Sequence, residues 1–247
     1  MLLTIIGCGD AFGSGGRMQT AYHVRSGSTS FLIDCGATAL IGLERAGLSP
    51  DEIPTIFLSH LHGDHFAGLC WWLLHAQHVT RRTAPLTVTG PVGTQARVAA
   101  ASEALFPGSS RIAWRFPLTF VEYVERQSLD VGAVRVTPFE VSHPADAPPY
   151  ALRLEVEGKV LSFSGDTEWV DSLLPASDNA DLHIAECYAF DGPIRYHTSW
   201  EVLSANLPRI TAKKIMITHM SGRMLERCGE IRDPRILLAR DEMRLEV

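Results

Sequence analysis

Four side chains able to bind a metal, His60, His62, Asp64 and His65, fall within six consecutive positions of the stretch Phe57-Leu58-Ser59-His60-Leu61-His62-Gly63-Asp64-His65-Phe66. Imidazole nitrogen together with carboxylate oxygen suits zinc and, less tightly, manganese or iron. The stretch runs from an apolar strand through a polar turn into an apolar helix. At the end of a strand, His60 and His62 point to one side, because side chains alternate faces with period two. Asp64 and His65 then fall on the turn, aimed at a neighbouring point. With ten histidines among 247 residues, an H-x-H-x-D-H run is a poor candidate for a chance surface turn. The pattern points to a metal site.

Three more polar residues stand where strands are expected to end: His143 in Ser142-His143-Pro144, Asp166 in Ser164-Gly165-Asp166-Thr167, and His219 after Lys214 to Thr218. Each alone is an ordinary strand-end residue. Together with the first stretch they make five histidines and two aspartates. That set fits two cations about 3.5–4 Å apart with one carboxylate shared between them. His75 and His78 read instead as a partly exposed helix end, and His183 as structural. The glycine-rich stretch Gly7 to Gly16 has the wrong spacing for a dinucleotide fingerprint and opens no helix. It reads as a long turn near the site.

The elements that must hold these residues follow from period and punctuation. Strands are expected over Met1 to Gly7, Thr20 to Val24 and Ser30 to Asp34, and Asp51 to Ser59 leads back into the metal turn. Helices are expected over Ala37 to Ala46, Ala67 to Gln77 and Thr94 to Leu105, with a strand at Leu86 to Thr89. Phe106 to Phe120 mixes Pro, Gly, Arg and aromatics and reads as a loop over the site. Strands follow at Val121 to Tyr123, Ser128 to Val131 and Val134 to Val141, then at Ala151 to Val156 and Lys159 to Ser164, the last two joined by the hairpin signal Glu157-Gly158. Asp181 to Cys187 and Lys214 to Thr218 are strands around a helix at Ser199 to Leu207, where Thr198-Ser199-Trp200-Glu201 reads as a capping box. Ile236 to Ala239 and Met243 to Val247 read as a closing hairpin, or as a short helix begun by Asp233-Pro234. The order is that of an α/β chain of two similar halves. It suggests a four-layer αββα sandwich of two mixed β-sheets flanked by helices, one domain over 1–247.

Composition narrows the partners. The net charge of -6 offers no footprint for long nucleic acid. No apolar run is long enough to cross a bilayer, and Met1-Leu2-Leu3-Thr4-Ile5-Ile6-Gly7 lacks a basic leader region. Five cysteines without a C-x-x-C fit reduced thiols, so a cytoplasmic location is expected.

His60-x-His62-x-Asp64-His65, His143, Asp166 in Ser-Gly-Asp-Thr and His219 in Ile-Thr-His-Met resemble the motifs of the metallo-β-lactamase superfamily, along essentially the whole chain. The resemblance implies that fold and two zinc ions, with manganese or iron as alternatives. It implies that His60, His62 and His143 hold the first metal, that Asp64, His65 and His219 hold the second, and that Asp166 bridges them. Asp181-Leu182-His183-Ile184-Ala185-Glu186-Cys187 and Tyr196-His197-Thr198-Ser199 resemble the ribonuclease Z and phosphodiesterase branch. That resemblance implies a functional Glu186 and a proton-donating His197. A homodimer is common among such relatives, and an exposed face carrying Trp71, Trp72 or Trp114 would favour one here.

The chain departs from the tRNA-processing members in one respect. Between His143 and Asp166 there is only Pro144 to Gly165, with no long or basic arm. A small or nucleotide-like phosphodiester is therefore the expected substrate, attacked by a hydroxide that bridges the metals, with Asp64 orienting it and His197 as acid. The other readings are hydrolysis of a lactone, thioester, β-lactam or halide, a tRNA 3′-endonuclease without the usual arm, and a metal-binding carrier without turnover.

Overall fold

The computed structural model describes residues 1–247. Fourteen strands form two seven-stranded sheets. The first half supplies β1 (Leu2–Gly7), β2 (Ala21–Ser26), β3 (Thr29–Ile33), β4 (Thr55–Phe57), β5 (Leu86–Gly90) and β6 (Leu118–Glu122). The second half supplies β7 (Leu129–Val131), β8 (Val134–Glu140), β9 (Tyr150–Val156), β10 (Lys159–Phe163), β11 (Leu182–Glu186), β12 (Ile215–Thr218), β13 (Ile236–Leu238) and β14 (Arg244–Glu246). The helices are α1 (Ala39–Ala46), α2 (Gly63–Phe66), α3 (Gly68–Leu74), α4 (Thr94–Leu105), α5 (Leu173–Ser177), α6 (Trp200–Asn206) and α7 (Gly222–Arg227).

The first sheet runs β14-β1-β2-β3-β4-β5-β6 and the second β13-β12-β11-β10-β9-β8-β7. Each is antiparallel in one part and parallel in the other. The parallel pairs are β3 to β6 in the first sheet and β10 to β13 in the second. β4, β11 and β12 are buried along their whole length, as parallel strands covered on both faces are.

The alternation of β-strand side chains sorts the core into layers. Ile33 and Phe57 face the other sheet and pack with Leu152, Phe163, Ile184 and Met216. Their neighbours Leu32 and Ile56 turn outward to meet Leu43, Leu69 and Trp72 of the helices. On the far side, Ala185, Ile215 and Ile217 meet Leu203 and Met224 of α6 and α7. The result is the expected sandwich of two sheets between helical layers.

Three expectations fail on tertiary grounds. Ile236–Leu238 and Arg244–Glu246 are strands but form no hairpin: β13 pairs parallel with β12, and β14 crosses to pair antiparallel with β1. Phe106 to Phe120 is no cover for the metal turn. Trp114, Leu118 and Phe120 line an apolar cavity against Val98 and Ser102 of α4, and the segment ends inside β6. The cap of α6 is Ser199, whose hydroxyl accepts from Val202 N–H, while the Thr198 hydroxyl donates to the Thr167 carbonyl. Trp72 lies fully in the core and Trp114 is half-buried, while Trp71 is 38% exposed and packs edge-on against Phe106. No helix is long and apolar enough to cross a membrane.

Candidate metal centre

All the ligand candidates lie just beyond strand ends on one edge of the sandwich. Ligands collect there in α/β sheets because each strand delivers its following loop to the same rim. β4 ends at Phe57, so His60 and His62 sit on the loop rather than the strand, yet their rings still lie 4.9 Å apart. Asp64 and His65 are on α2, His143 follows β8, Asp166 follows β10, Glu186 ends β11 and His219 follows β12. The Ser-Gly-Asp turn needs its glycine. Gly165 has φ +60, and a Cβ there would come within 2.9 Å of the Tyr150 carbonyl oxygen.

Two donor clusters result. His60, His62 and His143 converge on one point, and Asp64, His65, Asp166 and His219 on another. Asp166 lies between them: its Oδ1 is 3.3 Å from His65 Nε2, and its Oδ2 is 3.3 Å from His219 Nε2 and 4.0 Å from His60 Nε2. Asp64 Oδ2 is 3.3 Å from His65 Nε2 and 3.2 Å from His219 Nε2.

The hydrogen bonds behind the rings settle which nitrogens face inward. His65 Nδ1–H donates to Asp34 Oδ2 at 2.6 Å. The Ser59 hydroxyl donates to the same carboxylate at 2.8 Å and so accepts from His60 Nδ1–H at 3.0 Å. Both Nε2 atoms are therefore turned toward the centre, each buried without a hydrogen-bond partner, as is Asp166 Oδ1. His62 Nε2–H donates to the Pro144 carbonyl at 3.0 Å, and His143 Nδ1–H to the Tyr196 carbonyl at 2.9 Å. That leaves His62 Nδ1 and His143 Nε2 as two lone pairs facing each other at 3.0 Å. These orphaned acceptors, braced from behind, fit a metal-binding donor set.

Charge in the cluster is strongly coupled. Burial alone would raise the Asp166 carboxyl, but His219 and His65 hold it well below the usual carboxylate range. Burial likewise opposes the charged form of His219, yet Asp166 and the bond to Asp64 push it up to about 9. Burial and the neighbouring His65 drive His60 well down.

Beside the clusters, His197 Nδ1–H donates to Glu186 Oε2 at 3.0 Å, and Glu186 also accepts from the Thr167 amide. Burial raises the Glu186 carboxyl, opposed by His197. The His197 ring, whose pKa is raised by Glu186 against the effect of burial, lies 5.0 Å from His143 and stacks on Tyr188 at 4.8 Å. His62, Asp64, His143, Asp166, His197 and His219 all line one cavity of about 290 Å³. No arginine lines it: Arg195 lies over the Tyr196 ring, and Arg223 faces an adjoining cavity. His183 is buried and bonds Ser162, away from the site.

A family model described as Anti-Pycsar protein Apyc1 matches residues 1–241. The chain belongs to that family. It is 26% identical over 230 residues to a probable metallo-hydrolase, YhfI of Bacillus subtilis, covering 89% of this chain and 87% of the relative. It is 28% identical over 240 residues to ribonuclease Z of Mycobacterium bovis, covering 88% and 85%. The crystal structure of YhfI, described as a metallo-β-lactamase fold protein, superposes with a TM-score of 0.78 at 22% identity over 99% and 98% of the two chains. A diphosphatase of the PhnP family superposes with a TM-score of 0.79 at 17% identity over 100% and 97%. The fold is thus the metallo-β-lactamase fold, and the chain is a hydrolase related to ribonuclease Z.

Asp34, Ser59 and Tyr188 were not picked out in the sequence. Asp34 had a signal, a carboxylate closing an otherwise apolar strand in Asp34-Cys35-Gly36. Nothing local marked Tyr188, whose position matters only once the strand-end loops meet.

Proposed function

We propose that the chain is a dinuclear metal-dependent phosphodiesterase acting on small or nucleotide-like diesters. The observation that carries this reading is the Glu186–His197 pair set beside two donor clusters in one cavity. Phosphoryl transfer needs a proton for the departing alkoxide, whereas an activated acyl bond often does not.

In this reading His60, His62 and His143 hold one cation, Asp64, His65 and His219 the other, and Asp166 both. Two such cations supply a water-derived nucleophile near neutral pH and neutralise charge on phosphate oxygens. Asp64, held by His65 and His219, orients the attacking water. As imidazolium, His197 protonates the leaving oxygen from Nε2, and Glu186, by accepting Nδ1–H and raising the ring's pKa, favours that charged form. Zinc is the proposed metal and the cytoplasm the proposed location. The anti-Pycsar role in the family's description comes to this chain with the same proposal.

Long nucleic acid is disfavoured by geometry as well as charge. The connection from β8 to β9 is the short loop 141–149, with no room for a substrate-gripping arm. The deciding experiment measures metal content with turnover of bis-p-nitrophenyl phosphate, p-nitrophenyl acetate and a lactone. About two metals per chain with dominant diesterase activity, lost in Asp64→Ala, supports the proposal. Turnover of the ester or lactone alone would transfer the chain to carboxyl chemistry and return His197 to a structural role.

A further inference from the structure

His219 differs from the other histidines of the two donor clusters in having no hydrogen bond behind its ring. His60 and His65 donate their outer N–H to Ser59 and Asp34, and His62 and His143 donate theirs to the Pro144 and Tyr196 carbonyls. The outer nitrogen of His219, Nδ1, is buried with no hydrogen-bond partner. A metal-ligating histidine normally has such a partner to fix its ring. Where hydrogen bonds set the direction of the His219 ring, they do so through its backbone.

That backbone is held in an uncommon shape. His219 has φ +56, a left-handed conformation that a non-glycine residue keeps only where its surroundings impose it. Here one carbonyl from the first loop of the chain imposes it. The Cys8 carbonyl accepts from the His219 amide at 3.1 Å and from the Thr218 hydroxyl at 3.4 Å. The Thr218 oxygen in turn accepts from the buried Tyr22 hydroxyl at 2.7 Å. The aim of His219 therefore depends on where Cys8 stands.

Cys8 is placed by the opposite end of the sequence. Asp241 lies in the turn between β13 and β14, where the chain crosses from the second sheet to the first. Its Oδ1 accepts from the Cys8 amide at 3.1 Å and from the Cys8 thiol at 3.2 Å. Its Oδ2 accepts from the Met18 amide at 2.8 Å. One carboxylate so joins both arms of the loop from β1 to β2, which the Gly9 amide closes on the Met18 carbonyl at 2.7 Å. Arg17, on the same loop, donates to the Ala239 carbonyl at 2.9 Å and holds the turn in place.

We infer that Asp241 is the positioning residue for His219, doing through Cys8 what Asp34 does for His65 by direct contact. The inference rests on the assignment of His219 to one of two cations in the proposed function, and not on the bond that is hydrolysed. It makes the two metal sites unequal. Asp34 serves a ring in each cluster, whereas the bonds of Asp241 reach the clusters at His219.

The test is zinc titration of metal-free protein in competition with a chromophoric chelator, which resolves the two dissociation constants. Asp241→Asn keeps the shape but offers one acceptor oxygen where the Cys8 and Met18 amides use two. It should raise about tenfold or more the same constant that His219→Ala raises, and leave the other within about twofold. In a His219→Ala background it should change neither constant, because effects that pass through one partner are not additive. Asp241→Ala should act in the same direction, and Asp241→Asn carries the test if the alanine variant does not fold. A brace serving only the fold would lower the melting temperature with both constants unchanged, or cost as much affinity with His219 removed; either result overturns the inference. Equal weakening of both metals overturns it as well. A single zinc in the wild-type protein would overturn the two-cation reading, and the inference with it, before any variant is made. Because the readout is affinity, a failure of diester turnover would count against the phosphodiesterase reading and not against Asp241.

Discussion

His62 Nδ1 and His143 Nε2 face each other at 3.0 Å, each with its other ring nitrogen donating to a backbone carbonyl. The backbone thus dictates the tautomers and leaves two lone pairs opposed. A cation bound there would be held by both nitrogens. Removing metal with a chelator should lower the melting temperature by about 10 °C, taking about 4 kcal/mol of linkage at a thousandfold excess over Kd and a few degrees per kcal/mol at this size. Differential scanning calorimetry with and without restored zinc checks this, and His143→Ala should show a smaller gap between the two states.

Asp34 is fully buried with φ +55, a left-handed backbone rare outside glycine, and its carboxylate serves His65 directly and His60 through Ser59. Asp34→Asn keeps the shape but substitutes a weaker, half-donating amide. It should cost about 10–100-fold in metal affinity, read by competition with a chromophoric chelator. Unchanged affinity would mean that the two rings need no brace.

His197→Ala should reveal its role through the leaving group. With an alkyl leaving group kcat should fall about 10²–10⁴-fold, while a p-nitrophenolate leaving group, which needs no proton, should lose far less. Equal losses for both substrates would rule out proton donation.

Two buried histidines outside the site make stability depend on pH. His183, bonded to Ser162, and His23, bonded to Ser30, are each lowered by burial to about 4 from 6.5. A lowered folded-state value means that the unfolded chain takes up protons first. Their contribution is therefore complete above pH 6.5 and lost as pH falls toward 4, up to about 3 kcal/mol for each. Urea midpoints at pH 7 and pH 5 check this. His183→Gln should lose less stability than the wild type over that interval, and an equal loss would remove His183 from the account.

Gly165→Ala should act through Asp166. The new methyl group meets the Tyr150 carbonyl and the φ of +60 disfavours alanine, so the turn must shift. A loss of about 1 kcal/mol or more in stability, with weakened binding of at least one metal, is expected from denaturation and metal titration.

The H-x-H-x-D-H run was legible because chemistry and spacing are local there: four donors within six residues constrain one another whatever the fold. The strand-end residues His143, Asp166, Glu186 and His219 were legible for a related reason, since a polar residue closing an apolar run marks a sheet rim. The layer order followed from the alternation that sends Phe57 to one side and Ile56 to the other.

What the sequence could not settle was long-range pairing. β13 and β14 are both short, the first half-buried and the second mostly exposed, and nothing in either says that they belong to different sheets; that depends on which open strand edge each meets, β12 or β1. The same holds for the Phe106 to Phe120 segment, drawn to α4 by apolar surface that no local pattern reveals. Asp34 reaches Ser59 and His65 only because β3 and β4 lie side by side in parallel, and Phe12 meets Tyr188 only when loops more than half the chain apart converge on one rim. The donors were written locally; the braces behind them and the second cavity beside them exist only after the sheets close, because packing between distant segments sets both.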